Sequence, residues 1–282
     1  MPETQAFSVH APQWKPPSGA LGGLVTRARA RAHAEQKDES AWHARALSAP
    51  AATSLAAALR GDTVSVIAEV KRKSPSRGSI KLELDAGARA LAYAEGGAAA
   101  ISVLTEPEHF GGDMADLTAV VAAVAVPVIR KDFIVAPVQL YHARALGASA
   151  CLLIARALPP RELEQLYGVA CEIGLEAVVE VRDEEELNLA LQMGARIIGV
   201  NNRNLESLVI ESGTAERLVR LVPRTVVAVA ESGMTTAADV ARAAQAGADA
   251  ILIGTALSSS DDAAAAVRSL INIAVERDDR PD

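Results

Sequence analysis

Aromatic side chains are scarce in this chain, about 3% of 282 residues, and cysteine is scarcer still, with two. Cys151 and Cys171 show no CxxC spacing and have no histidine cluster beside them. That excludes a disulfide-stapled scaffold and a zinc ribbon, and two reduced thiols are expected. No apolar run approaches the ~18 residues of a membrane span. The N-terminus lacks the basic-then-apolar order of a secretory signal, so a cytoplasmic protein is expected. Lys and Arg number 28 against 35 Asp and Glu, giving a net charge of −7. The charges are interspersed, without the basic stripe of a nucleic-acid protein. A local basic pocket for a small anionic substrate remains compatible with that balance.

Half the residues are hydrophobic, enough for one large core, and all-parallel barrels of this length form single domains. Residues 1–18 carry Pro2, Pro12, Pro16 and Pro17 and read as a flexible lead-in. Leu21, Leu24, Val25, Ala28 and Ala32 recur at helical spacing, which predicts an N-terminal helical extension over residues 19–63. Arg27, Arg29 and Arg31 read as its solvated face, because residues two apart point in different directions on a helix.

From residue 64 short Val- and Ile-rich runs recur at Val64–Ala68, Ala98–Leu104, Val126–Ile129, Ala150–Ile154, Ala177–Val179, Ile197–Val200, Val226–Ala230 and Ala250–Ile253. Continuous rather than alternating, they fit parallel strands buried on both faces. Amphipathic stretches such as Pro160–Ile173 and Asp183–Met193 separate them. Gly97-Ala98, Gly147-Ala148, Gly194-Ala195 and Gly247-Ala248 each close a helix ahead of an even-numbered strand, every second βα unit. A single (β/α)8 barrel over residues 64–282 follows. A doubly wound open sheet would need a glycine-rich turn after the first strand, where Glu69-Val70-Lys71-Arg72 stands.

Chemistry on such barrels sits where strands end. The odd strands end in Glu69, Lys131, Glu180 and Glu231. The even strands offer Thr105 and Glu106, then Arg156, Asn201, and finally Gly254 with Thr255. Alternation along Glu69-Val70-Lys71-Arg72-Lys73-Ser74 sends Glu69, Lys71 and Lys73 to one side and Arg72 to the other. Three inward ionisable groups are too costly for a structural core but suit an anionic substrate. Lys71 would lower the pKa of Lys131 while Glu69 and Glu180 would raise it, so the net direction stays open. Ser232-Gly233 and Gly254-Thr255 place backbone N–H groups at the two turns where these barrels commonly hold phosphate. Arg203, one step above Asn201, could grip a carboxylate. Phe110 and Phe133 sit in mouth loops, where an aromatic ring could stack or the loops simply pack. His109 reads as a surface histidine, and no metal-ligand spacing is present.

Ile67-Ala68-Glu69-Val70-Lys71-Arg72-Lys73-Ser74-Pro75-Ser76, Arg130-Lys131-Asp132-Phe133-Ile134, Val179-Glu180-Val181, Gly199-Val200-Asn201-Asn202-Arg203, Ala230-Glu231-Ser232-Gly233 and Ile253-Gly254-Thr255 closely resemble the indole-3-glycerol-phosphate synthase family. The likeness runs over roughly residues 50–257. It implies a cofactor-independent lyase of tryptophan biosynthesis acting on 1-(2-carboxyphenylamino)-1-deoxyribulose 5-phosphate. By this resemblance Lys131 is the general acid and Glu180 the principal base, with Lys71 and Glu69 assisting. Ser74, Asn201 and Arg203 hold the anthranilate end and sugar hydroxyls. Lys73, Ser232, Gly233, Gly254 and Thr255 hold the phosphate, Glu231 orders the site, and Phe110 and Phe133 form the aromatic pocket. A monomer or weak homodimer is expected. Relatives often carry an acidic residue near the Pro137 helix start, where this chain has Ala136 and Val138. A phosphoribosyl isomerase, a Schiff-base aldolase and a catalytically silent phosphate-binding barrel are the rivals. The Lys71/Lys131 pair speaks against the first, and the full set of acids and bases against the last.

Overall fold

The computed structural model describes residues 14–74, 78, 79 and 83–282. Eight of its strands lie parallel and close on themselves: β1 (Ser65–Val70), β2 (Ala100–Leu104), β3 (Val128–Lys131), β4 (Ala150–Ile154), β5 (Glu176–Val181), β6 (Ile197–Asn201), β7 (Val227–Glu231) and β8 (Ala250–Ile253). β1 pairs with both β2 and β8, which seals the barrel and leaves no sheet edge. Nearly every strand residue is buried, as expected of parallel strands with helices outside and packed side chains within.

Five strands run one or two residues past the apolar stretches, taking in Glu69-Val70, Arg130-Lys131, Glu180-Val181, Asn201 and Glu231. Hydropathy stops at the first charged side chain, whereas the backbone ladder continues: Leu104 still pairs Lys131, and Asn201 still pairs Glu231. The charged residues are therefore held by the sheet itself rather than by loops.

The Gly-Ala repeat performs the expected closure. Gly97, Gly147, Gly194 and Gly247 adopt φ of 96°, 90°, 77° and 92°, a left-handed conformation that costs glycine nothing. The following alanine N–H turns back onto the helix, as with Ala98 N–H to Tyr93 O at 3.0 Å, the Schellman arrangement. Each of these turns feeds an even strand.

Before the barrel come α1 (Gly19–Glu35), α2 (Glu39–Ser48) and the short α3 (Leu55–Ala58). α1 buries Leu21, Leu24, Val25, Ala28 and Ala32, the five positions of the apolar pattern, and lies over the barrel mouth. Of its arginines only Arg29 stays exposed, while Arg27 and Arg31 are half-buried. Arg31 Nη2 donates to Asp132 at 2.9 Å, Arg29 to Glu162 at 2.8 Å, and Arg27 to His109 Nε2 at 3.0 Å. Arg27 and Arg31 are four residues apart and share a face, so the i,i+4 relation overrides the two-residue argument. His109 is correspondingly half-buried rather than a surface residue, taking the Arg27 hydrogen bond on Nε2. Lys15 O and Ser18 at the end of the lead-in are held by Arg156 and Glu206. At the opposite end of the barrel the C-terminal stretch joins the start of β1 through Val64 N–H to Ile273 O at 2.8 Å.

Candidate active site

Odd strands point alternate residues inward at the same height, so four of them supply one layer of the barrel interior. One layer down these positions are aliphatic, Ile67, Ile129, Val178 and Val229. In the uppermost they are Glu69, Lys131, Glu180 and Glu231, at most 4% exposed for the three acids. Lys131 Nζ lies 2.9 Å from Glu69 Oε2 and 3.6 Å from Glu231 Oε2. Lys71, just past β1, binds Glu69 Oε1 at 2.6 Å. Two adjacent strands give up side chains to make room. A methyl on Gly199 of β6 would overlap the Glu231 carboxylate, and one on Gly254 would overlap that of Glu69 and come within 2.7 Å of Lys71 Nζ. Gly254, expected at a phosphate turn, thus also makes space for the Glu69–Lys71 pair.

The shared charges divide unevenly. Burial pushes the Glu69 carboxyl up, but Lys131 and Lys71 outweigh it and bring the pKa to about 2. Lys131 is pulled down by burial and raised further by Glu69, Glu231 and Glu180, ending well above an ordinary lysine. This settles the direction that the sequence left open. Glu180 and Glu231 are raised, chiefly by burial, with Lys131 opposing. Their mutual repulsion favours one shared proton. Neither oxygen of Glu231 has a hydrogen-bond partner among the described residues. Two ammonium groups and three carboxylates holding one proton leave the layer close to neutral.

Above this layer opens a cavity of about 520 Å³. Glu69, Lys71, Lys131, Glu180, Asn201 and Arg203 line it, together with Phe110, Phe133, Ser232, Gly233, Gly254 and Thr255. The Phe110 and Phe133 rings stand 6.3 Å apart, tilted by 36°, on one wall. Glu106 aims the first of them. Its carboxylate caps the turn Pro107–Phe110, accepting the N–H groups of His109 at 2.7 Å and Phe110 at 3.0 Å. Asp132 holds the second through the Phe133 N–H at 2.8 Å, while its other oxygen accepts Thr105 and Arg130. Asn201 Oδ1 accepts the Arg203 N–H at 2.8 Å, and the Arg203 guanidinium donates to Leu208 O at 2.9 Å. Ser232 and Gly233 both have positive φ, 65° and 79°. For serine that backbone costs about 1 kcal/mol or more, and Asn202 Nδ2 steadies it through Ser232 O at 3.0 Å.

Lys73 departs from the expected alternation. β1 ends at Val70, and Lys73 belongs to a separate two-stranded ribbon with Ser79. Its aliphatic stem lies beside Gly111, outside the residues that line the cavity. Strand parity carries no information past the end of the strand. Arg72 does point away, into an ion pair with Asp116. The Ser74 side chain, Pro75 and Ser76 lie outside the described residues. Sequence reasoning placed Glu106 at a strand end without giving it a role, read Arg31 as part of a solvated face, and passed over Asp132. Among the described residues no group of three or more His, Cys, Asp or Glu side chains is arranged to hold a metal ion.

Residues 24–270 match the family described as indole-3-glycerol phosphate synthase. Indole-3-glycerol phosphate synthase of Streptomyces griseus subsp. griseus is 49% identical over 227 residues, covering 80% of this chain and 84% of the relative. The protein of that name from a Nocardioides species is 51% identical over 209 residues, covering 74% and 80%. Thiamine phosphate pyrophosphorylase from Pyrococcus furiosus superposes with a TM-score of 0.56 at 18% identity, covering 73% of this chain and 93% of that one. That likeness is one of fold. With the charged layer in the barrel mouth and relatives near half identity along four-fifths of its length, the chain belongs to the indole-3-glycerol phosphate synthase family.

Proposed function

We propose that this carbon–carbon lyase of tryptophan biosynthesis uses Lys131 as general acid and Glu180 as base in converting 1-(2-carboxyphenylamino)-1-deoxyribulose 5-phosphate to indole-3-glycerol phosphate. The observation that carries the reading is the Lys131 ammonium, fixed among Glu69, Glu231 and Glu180 on the cavity floor. The ring carbon bearing the carboxylate attacks the ketone. The alkoxide that develops is far more basic than an amine, so a firmly protonated lysine still gives up its proton there while remaining charged beforehand. Loss of CO2 restores aromaticity with no external electron sink. Departure of the new hydroxyl then needs an acid and a base, roles for Lys71 and Glu180, with Glu69 orienting both lysines.

The rest of the cavity divides by chemistry. Phe110 and Phe133 take the anthranilate ring, and Arg203 with Asn201 and Ser74 takes its carboxylate and the sugar hydroxyls. Ser232, Gly233, Gly254 and Thr255 take the phosphate, assisted from the rim by Lys73, so that binding at one end folds the ketone onto the ring. Glu231 keeps Lys131 in place. All these groups come from one chain, which suits a monomer or weak homodimer working in the cytoplasm. No described helix is long and apolar enough to cross a membrane.

The test is incubation with the substrate, without added metal or cofactor, following indole fluorescence and CO2. Both rise in step in the expected outcome. Folded protein that binds phosphate but gives no indole sinks the assignment.

A further inference from the structure

Charge balance sets a requirement on the site. With the substrate carboxylate ionised, the alkoxide takes one proton, the departing hydroxyl takes a second, and carbon releases one. Each turnover therefore draws one proton from solvent.

A second chamber of about 140 Å³ adjoins that cavity. Ile154, Glu180, Arg203 and Leu205 line both spaces, and Glu186 lines the second alone. It is roomy and polar enough for several waters. Glu186 is the third residue of the helix Glu184–Gln192, and an ordinary capping role accounts for part of its setting. Its Oε2 accepts the Arg182 N–H at 2.8 Å, and Asp183 Oδ1 accepts its own N–H at 2.9 Å. Capping does not require that the carboxylate also face the chamber containing Glu180, nor that its charge be felt there, as it is. Burial and Asp183 bring Glu186 up to about 7, against the pull of Arg182 and Arg156. Those two arginines are engaged elsewhere, Arg182 with Glu211 at 2.8 Å and Arg156 with Glu206 at 2.9 Å. Arg203, from the loop after β6, is the other cation in the wall.

We propose that Glu186 exchanges protons with Glu180 through water in this side chamber, giving solvent protons a route to the barrel mouth that bound substrate does not block. Protonated Glu186 passes a proton to chamber water, that water passes one to the Glu180 carboxylate, and Glu180 hands it on to the lysine amine left by the acid step and returns to the carboxylate. Solvent then reprotonates Glu186, and only O–H and N–H bonds change. Release of a proton from Glu180 runs the same path backward. The scheme rests on Glu180 as the base of the reaction, and Glu186 acts through it without touching substrate.

Glu186→Gln keeps an acceptor for the Arg182 N–H while removing the titration. In the wild type, kcat should fall as pH rises through the region of 7 and Glu186 loses its proton. In the variant that limb should vanish, with kcat at pH 7 down about tenfold, short of the ~10²–10⁴ of a direct acid or base. KM should stay within twofold, and added imidazole should restore much of the rate. Glu186→Asp, which returns a carboxyl group, should bring the pH limb back. Wild-type kcat and an unchanged pH profile in Glu186→Gln, with Glu180→Gln inactive, would overturn the relay and leave the base intact. Near-normal turnover in Glu180→Gln would instead remove the base on which it rests.

Discussion

The barrel buries ionic groups at both ends, and it treats them in opposite ways. At the bottom, Asp249 meets Arg280 at 2.8 Å and Arg277 at 2.7 Å and also accepts the Ala228 N–H. The Arg280 guanidinium, wholly buried, is further satisfied by the carbonyls of Val222, Pro223, Val226 and Gly247. At the mouth, Glu231 is equally buried and has no hydrogen bond among the described residues. A buried charge whose lone pairs and protons are all matched fixes structure. One left partly unmatched keeps its proton movable. The same burial serves stability at one end and reactivity at the other.

Lys131→Met should separate the two ends most sharply. It removes the ammonium and keeps the stem, so kcat should fall by about 10³-fold, within the range of a general acid, while the melting temperature falls less than in Arg280→Met, because Lys71 still pairs Glu69 and the buried carboxyls can take up protons. Turnover near the wild type would strip the mouth of its acid. Arg280→Met should do the reverse. Leaving Asp249 partly unmatched should cost about 3–5 kcal/mol in urea denaturation, with kcat per folded molecule unchanged. A catalytic defect without loss of stability would break the comparison.

Gly254→Ala tests how closely the mouth is fitted. The added methyl must displace Glu69 or Lys71, and a shift of that kind can cost about 10²-fold in kcat. Product-analogue binding should weaken much less, and equal losses in both would make the effect steric crowding of the ligand.

The smallest effect concerns pH. Glu180 and Glu231 hold a proton in the folded chain that the unfolded chain releases above about 4.5. A raised folded pKa stabilises most at low pH, and Glu186, raised to about 7, holds a second such proton, so stability should decline from pH 5 toward 8, by at most ~1.4 kcal/mol per unit for each proton held. Glu69, held near 2, is ionised in both states over that range and adds nothing to the slope. Glu231→Gln should flatten the decline in denaturant midpoints, and an unchanged slope would place the proton elsewhere.

Much of this was legible in the residues. Eight apolar runs and four Gly-Ala closures led to the barrel, and the charged residues at the ends of the odd runs picked out the buried layer, directly after three of them and one place later in the third, where Arg130 precedes Lys131. Legibility failed where information was not local. Parity along β1 could not follow Lys73 into a ribbon of its own. The partners of Arg31 stand about a hundred positions away, and its pairing with Arg27 on one helical face was the signal passed over. Gly254 looked like a turn residue, because the volume it leaves to Glu69 belongs to another strand. Glu186 lies inside the amphipathic stretch Asp183–Met193, and nothing in that pattern pointed to the chamber it lines.

The arginine-studded α1 has a consequence for how the chain is made. Its contacts reach 101 residues ahead to Asp132 and 133 to Glu162, while Ser18 just before it waits for Glu206, 188 residues on. Synthesis delivers this helix before the barrel, and its partners arrive in turn after the third, fourth and sixth strands. Until then Leu21, Leu24 and Val25 have nowhere to dock, and a nascent chain carries them uncovered. The roof of the cavity is thus made before the walls on which it rests.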